Sequence, residues 1–536
     1  MAIAQPTHPR QLIPSFESRN IALALLVAMS LGFALRYASL EARPMHNDEA
    51  VNGIKFGRLW EQGDYKYDPN EHHGPTLYYA TLALAELTKA PDLNHFTEAR
   101  LRVLTVLFGL GMILLLPLIA DGLGQKGTIW AAIFTSVSPA FVFYSRYYIH
   151  EMLLVFFAFL TLVAGWRYWR SRKIWWALLA GIGLGLMHAT KETFVITLAA
   201  AALALVLNQI WNRLLDGSGS PVPARRLNLW HVTAAIVIWL VVAVVLFSSF
   251  FKNPSGPVDS LRTYGPWLSR AGGESEHIHS WSFYFHRLLW FHVGKGPVWT
   301  EALIAILALI GGVTCFLRKN LGRSNASFGR FIALYTLILT AGYTLISYKT
   351  PWCLLNFWHG MILLAGLGAA FLLRSTRRIR AKVASALALS LGVAHLGWQA
   401  FQESVPFAAD QRNPYVYAQT APDVPDLVKQ VERLAKTYPA GNQMLIKVMA
   451  PDSDYWPLPW YLRSFKNVGW WDNVPADPWA PVMIVSAKFK AALDEQKTHL
   501  MVRYFALRPQ VLVELYVQAD LWRAYVARMD GQSDAR

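Results

Sequence analysis

The sequence predicts a polytopic α-helical membrane protein that ends in a small C-terminal α/β domain. Three observations lead there. Only 16% of the 536 residues are charged while 54% are hydrophobic, whereas soluble domains carry roughly 25% charge. Eleven apolar runs approach the roughly 20 residues that cross a bilayer as a helix: 21–40, 101–120, 129–145, 150–166, 174–190, 193–211, 229–251, 297–317, 331–347, 353–373 and 383–401. From residue 402 onward, charges return and the apolar runs shorten. Two cysteines cannot make a disulfide scaffold, and the composition fits neither a disordered nor a collagen-like chain.

The organisation follows in chain order. Residues 1–20 read as a cytoplasmic tail, 21–401 as the multi-span domain and 402–536 as the outer soluble domain. The first span is no cleaved signal peptide, because it lacks a small-residue cleavage site and Arg36 and Tyr37 interrupt its end. The run from Trp175 to Leu207 is too long for one span and breaks at His188, Lys191 and Glu192, so it gives two. The net charge of +16 is concentrated between spans. The clusters are Arg167 to Lys173, Arg213 with Arg225 and Arg226, Arg318 to Arg330, and Arg374 to Lys382. With a cytoplasmic N-terminus all four fall on the cytoplasmic side, as the positive-inside rule requires. Loops 41–100, 145–150, 188–192, 252–296 and 348–352 then face outward, in a bacterial inner membrane with the C-terminal domain in the periplasm. The basic surplus is thereby explained by membrane lipids, with no nucleic acid as partner. Cys315 and Cys353 fall near opposite ends of their spans, too far apart to bridge. Ser218 to Pro223 reads as an inner loop. In the tail, Leu427, Val431 and Leu434 share one face of a helix over 424–437. Strands fit Met444–Met449, Val482–Val485, Leu500–Leu507 and Val511–Val517, and a last helix fits 519–528.

The chemistry gathers on the outward loops. The first begins Arg43-Pro44-Met45-His46-Asn47-Asp48-Glu49. An adjacent carboxylate pair there can take a proton, bind a cation, or cap a helix that starts at Asn47 or Asp48. His72-His73-Gly74-Pro75 follows in the same loop. The second loop holds Arg146 and Glu151, charges that are costly at the mouth of a membrane. The third holds Lys191 and Glu192, either a local ion pair or a functional one. The last holds Lys349, which either snorkels to headgroups or neutralises a phosphate. Glu274, His277 and His279 give the long loop a metal-like composition, either as solvated residues or as part of a flap. The tail aromatics Trp456, Trp460, Tyr461, Trp470 and Trp471 either stack on sugars or pack the tail against the membrane domain. Carboxylates beside cations at an outer face suit sugar transfer from a lipid phosphate.

These segments resemble a known superfamily. Asp48-Glu49 followed by His73-Gly74-Pro75, Ser145-Arg146 with Glu151, and Lys349-Thr350-Pro351-Trp352 are similar to motifs of the type C glycosyltransferases, which include protein mannosyltransferases and lipid A aminoarabinose transferases. Here Thr76 stands where those families have a second proline, and Glu151 where they often have Asp. Arg43 to Glu49, Tyr67-Asp68-Pro69, Tyr348 to Trp352, Tyr455 to Arg463 and Asn467 to Trp471 resemble the archaeal and bacterial flippase activity-associated family more closely. The resemblance implies a glycosyltransferase, hexosyl or pentosyl. It would move a sugar with inversion from a polyprenyl-phosphate-linked donor to a lipid, glycan or protein acceptor. Asp48, Glu49 and Glu151 would be catalytic, with Asp48 the base. Arg146, Lys191 and Lys349 would hold the donor phosphate, while His73, Tyr67 and Trp460 position substrate. No cofactor is required, and a divalent cation is left open, with Glu49 and His73 as its candidate ligands. The alternative activity is a flippase or transporter component for lipid-linked saccharides.

Overall fold

Each of the eleven apolar runs is helical in the computed structural model, which describes residues 16–70, 73–214, 227–272 and 277–533. Most of the N-terminal tail, His72, Ser218 to Pro223 and Glu274 lie outside the described residues. A helix satisfies its own backbone groups, which is what hydrocarbon demands. In chain order the helices are α1 (Phe16–Tyr37), α2 (Asn47–Gln62), α3 (Thr76–Thr88), α4 (Glu98–Leu115), α5 (Ala120–Leu123), α6 (Gln125–Val137), α7 (Pro139–Ser145), α8 (Glu151–Ser171), α9 (Ile174–His188) and α10 (Phe194–Leu214). There follow α11 (Leu229–Phe247), α12 (Gly256–Arg262), α13 (Tyr264–Gly272), α14 (Phe283–Leu289), α15 (Ala302–Leu317), α16 (Ala326–Leu345), α17 (Leu355–Ser375) and α18 (Ile379–Ser404). Among the described residues, seven helical stretches are long and apolar enough to cross a membrane. The pair α6 and α7 does so together with a 56° bend, and α1, α9 and α15 carry shorter apolar helices. The bend falls at Ser138-Pro139, where proline opens the new helix.

The bundle has two chemically distinct ends. At one, Asp121 accepts from Arg167 and Arg170, Asn320 bonds Ser375, and Arg330 donates to Asn212. Among the described residues, this end carries Arg167, Arg170, Arg330 and Arg374 of the basic clusters. At the other end Lys191 and Asn356 donate to Glu151, and the Tyr148 N–H donates to Glu49. The 21 residues of α8 separate the two, about 30 Å at 1.5 Å per residue. Both cysteines are free.

Helix α17 forms the centre, with 89% of its apolar window buried, while α11 lies at the rim with 6%. Without a hydrophobic drive inside lipid, helices associate where small residues let their backbones close. Gly311 of α15 and Gly368 of α17 do this reciprocally. A Cβ on Gly368 would lie 2.0 Å from the Leu307 carbonyl oxygen, and one on Gly311 would lie 2.0 Å from that of Leu364.

The tail is an α/β domain of one five-stranded sheet in the order β2-β1-β3-β5-β4. Its strands are β1 (Ile446–Met449), β2 (Val468–Trp471), β3 (Val482–Ser486), β4 (His499–Arg508) and β5 (Val511–Gln518). β1 runs parallel to β2 and β3, and β5 runs antiparallel to β3 and β4. Helices α19 (Val424–Ala435) and α21 (Ala519–Ser533) cover one face through Leu427, Val431, Leu521 and Tyr525. Four of the five strands match the sequence reading. β2 does not, because Val468-Gly469-Trp470-Trp471 lacks alternation and contains glycine. The short α20 (Leu458–Tyr461) docks the tail on α2.

Gly368→Val should therefore separate α15 from α17. Size-exclusion of detergent-solubilised protein is expected to show loss of the monodisperse peak, while Leu391→Ala, on an exposed part of α18, keeps it.

Candidate active site

The site is built from helix α2. Its N-cap is His46, whose Nδ1 accepts the Asp48 N–H at 3.1 Å, while the Glu49 carboxylate accepts the His46 N–H at 2.9 Å. The sequence favours Asn47 or Asp48 as the cap. Because His46 takes that role, the Asp48 side chain is left 46% exposed. Asp48, Val51, Asn52 and Lys55 then fall at i, i+3, i+4 and i+7 on one face. That face lines a cavity of about 590 Å³.

Glu49 points the other way. It is fully buried and accepts five N–H groups, from Arg43, from Nε and Nη2 of Arg102, and from the backbones of His46 and Tyr148, at 2.9 to 3.0 Å. Burial alone would raise its pKa. Arg102 and Arg43 overcome that and hold it down at about 2. Arg102 also donates to the carbonyls of Leu40 and Arg43. Glu49 is thus the anchor of the segment between α1 and α2 and does not line the cavity.

Opposite Asp48 stand two long-range charge pairs. Lys191 donates to Glu151 at 2.6 Å, and Asn356 donates to the other Glu151 oxygen at 3.0 Å. The His73 Nδ1 meets Glu192 at 3.0 Å, and its ring stacks on Trp267 at 5.7 Å. Lys191 and Glu192 therefore pair with different elements, because the turn between α9 and α10 sends neighbouring side chains apart. His150 lies between the pairs with Nε2 on the Gly74 carbonyl at 3.0 Å. Its burial holds its pKa well below the usual histidine range, and the carbonyl partner calls for a proton on Nε2. Gly74 makes the seam with the third loop. Its N–H donates to the Thr190 carbonyl, and a Cβ there would meet the Ala189 oxygen at 2.1 Å.

The cavity then turns apolar. Val195 and Ile196 of α10, Leu268 of α13, Tyr343 of α16 and Ile346 just after it line that part. Val195 and Leu268 are themselves exposed, so the polar chamber opens through this apolar part to the molecular surface.

Four of the nine expected site residues meet here, namely Asp48, Glu151, Lys191 and His73. The others are placed differently. Arg146 is buried and donates to the carbonyls of Arg36, Ala38 and Ser39, closing the end of α1. The Lys349 ammonium donates to the His279 and Ile346 carbonyls, although its neighbours Tyr348 and Thr350 line the cavity. Tyr67 packs its ring on Phe247 at 4.8 Å. Trp460 is fully buried over Gly53, with its Nε1 donating to Glu98 at 2.9 Å. It holds the tail in place and faces no substrate space. Glu49 and His73 do not form a cation site, since Glu49 is saturated and His73 is turned to Glu192. Among the described residues no three His, Cys, Asp or Glu side chains converge, and His277 and His279 both bond the Tyr417 hydroxyl.

Sequence reading missed Lys55 and Arg102. Lys55 is legible as the i+7 partner of Asp48 once α2 is drawn. Arg102 is a cation one residue into an apolar run, which marks a buried partner.

Glu49→Gln would leave two buried arginines short of charge compensation, a loss of about 3–5 kcal/mol. Thermal unfolding in detergent should show it. In the native chain Glu49 contributes stability above the unfolded carboxyl pKa of about 4.3, lost as pH falls through about 2. The Gln variant should lack that acid-dependent part.

The fold and the family comparison agree. The model for dolichyl-phosphate-mannose-protein mannosyltransferases matches residues 83–253. A search of curated proteins finds no match in sequence. Among solved structures, the chain resembles ArnT from Cupriavidus metallidurans bound to undecaprenyl phosphate, with a TM-score of 0.62, 14% identity, and 94% of this chain and 99% of that one covered. It also resembles the oligosaccharyltransferase AglB from Archaeoglobus fulgidus in complex with an inhibitory peptide and a dolichol-phosphate, with a TM-score of 0.57, 11% identity, and 89% and 70% covered. The chain thus shares the fold of ArnT and AglB, the fold that the resemblance to the type C glycosyltransferases implies.

Proposed function

We propose that this chain is a membrane glycosyltransferase that moves a sugar from a polyprenyl-phosphate-linked donor to an acceptor hydroxyl at the outer membrane face. The observation that carries the reading is the exposed Asp48 carboxylate at the head of a cavity whose far part is apolar and reaches the surface at Val195 of the apolar helix α10. A polyprenyl phosphate has that same division, a charged head on a hydrocarbon chain. ArnT and AglB, which share the fold, were solved with undecaprenyl phosphate and dolichol-phosphate.

In this mechanism Asp48 takes the proton from the acceptor hydroxyl. The acceptor oxygen forms a bond to the sugar's anomeric carbon as the bond to the phosphate oxygen breaks on the opposite face, so configuration inverts. Polyprenyl phosphate leaves with the electron pair. Lys55, one turn beyond Asn52 on the Asp48 face, meets the phosphate charge. Lys191 is committed to Glu151 and acts by fixing the wall. His73 and Trp267 supply a flat edge for the sugar. The outer site and the tail face the periplasm, opposite the basic end of the bundle.

Asp48→Asn should reduce transfer by about 10²–10⁴-fold, the usual contribution of a general base, with unchanged thermal stability. The assay follows radiolabelled sugar from cell-envelope lipid donor to acceptor in membranes carrying the variant. Undiminished transfer would refute the role. Lys55→Gln is expected to lower donor use without loss of folded protein.

A further inference from the structure

A second cleft lies between α2 and the tail sheet. The three faces of α2 explain its position. One carries Asp48 and Lys55, a second is buried through Phe56 and Gly57, and a third presents Ile54 and Arg58 to this cleft. The cleft measures about 330 Å³, within the size range of small-ligand sites. Its walls are aromatic, formed by Tyr455, Trp456 and Trp470. The Tyr455 and Trp470 ring centroids lie 4.9 Å apart with the planes inclined by 41°.

Its charge is of one sign. Arg58, Arg463 and Lys466 line it, and no acidic side chain does. Among the described residues, no carboxylate forms an ion pair with any of the three. Arg463 is pinned by the carbonyls of Trp460 and Phe96 and by stacking on Trp460 at 4.0 Å, which leaves its buried Nε without a partner. Arg58 and Lys466 are exposed at the mouth.

Flat aromatic rings match the apolar C–H faces of a sugar ring, and guanidinium and ammonium groups match carboxylate or phosphate oxygens. We propose that this cleft binds an anionic saccharide, with the ring against Trp470 and Tyr455 and the acidic group on Arg58 and Lys466. The assignment uses no step at Asp48. An acidic peptide would satisfy the cations but leave the aromatic wall unused.

The test uses full-length protein in detergent, titrated with tetragalacturonate and followed by tryptophan fluorescence. Saturable binding is expected, at least about tenfold tighter than for neutral cellotetraose or for tetraglutamate, one decade being about 1.4 kcal/mol. The double variant R58A/K466A, altered only at exposed positions, should bind at least about tenfold more weakly. D48N should bind as the native chain does, which separates this site from the transfer reaction. Absence of binding, equal binding of cellotetraose, tighter binding of tetraglutamate, or undiminished affinity in the double variant would overturn the assignment.

Discussion

The carboxylate of Glu49 is the point on which the cavity-bearing end of the molecule depends. Five N–H donors from three chain segments converge on it. Through them the link after α1, the start of α2, the head of α4 and the turn before α8 become one block. Such a buried charge is tolerable only when it is surrounded by partners. The same block fixes the entry angle of α2 and so the direction in which Asp48 faces. Two adjacent acidic residues thus have opposite fates, one consumed by structure and the other left available for chemistry.

The tail is attached to the same block. The Met45 N–H donates to the Tyr461 hydroxyl at 2.8 Å, and Gln419 and Thr420 donate to the carbonyls of Pro44 and Met45. Trp460 reaches across to Glu98 at the head of α4. The soluble domain is consequently seated on the short segment that positions the carboxylates, and its aromatic run serves both docking and the wall of the second cleft.

The span pattern was legible because hydrocarbon imposes its demand on every backbone group, and a run of some 20 apolar residues is visible without knowledge of contacts. Asp48 stands out in the sequence because it is a carboxylate just beyond an apolar run, beside motifs that resemble those of the type C glycosyltransferases. What the chain did not disclose was which buried cation answers which carboxylate. Lys191 and Glu192 are adjacent, yet one reaches Glu151 and the other His73. Arg146 carries the charge suited to a phosphate, but the carbonyls at the end of α1 claim it. Trp460 resembles a sugar platform in sequence and is a packing residue in space. Such choices rest on tertiary geometry, to which residue type and spacing are blind.

Helix α2 has only 16 residues, and its three faces belong to the Asp48 cavity, the protein core and the aromatic cleft. The two openings therefore share one short wall: residues three positions apart on the same helix line different spaces, and the Glu49 block holds the first turn from which both faces are set.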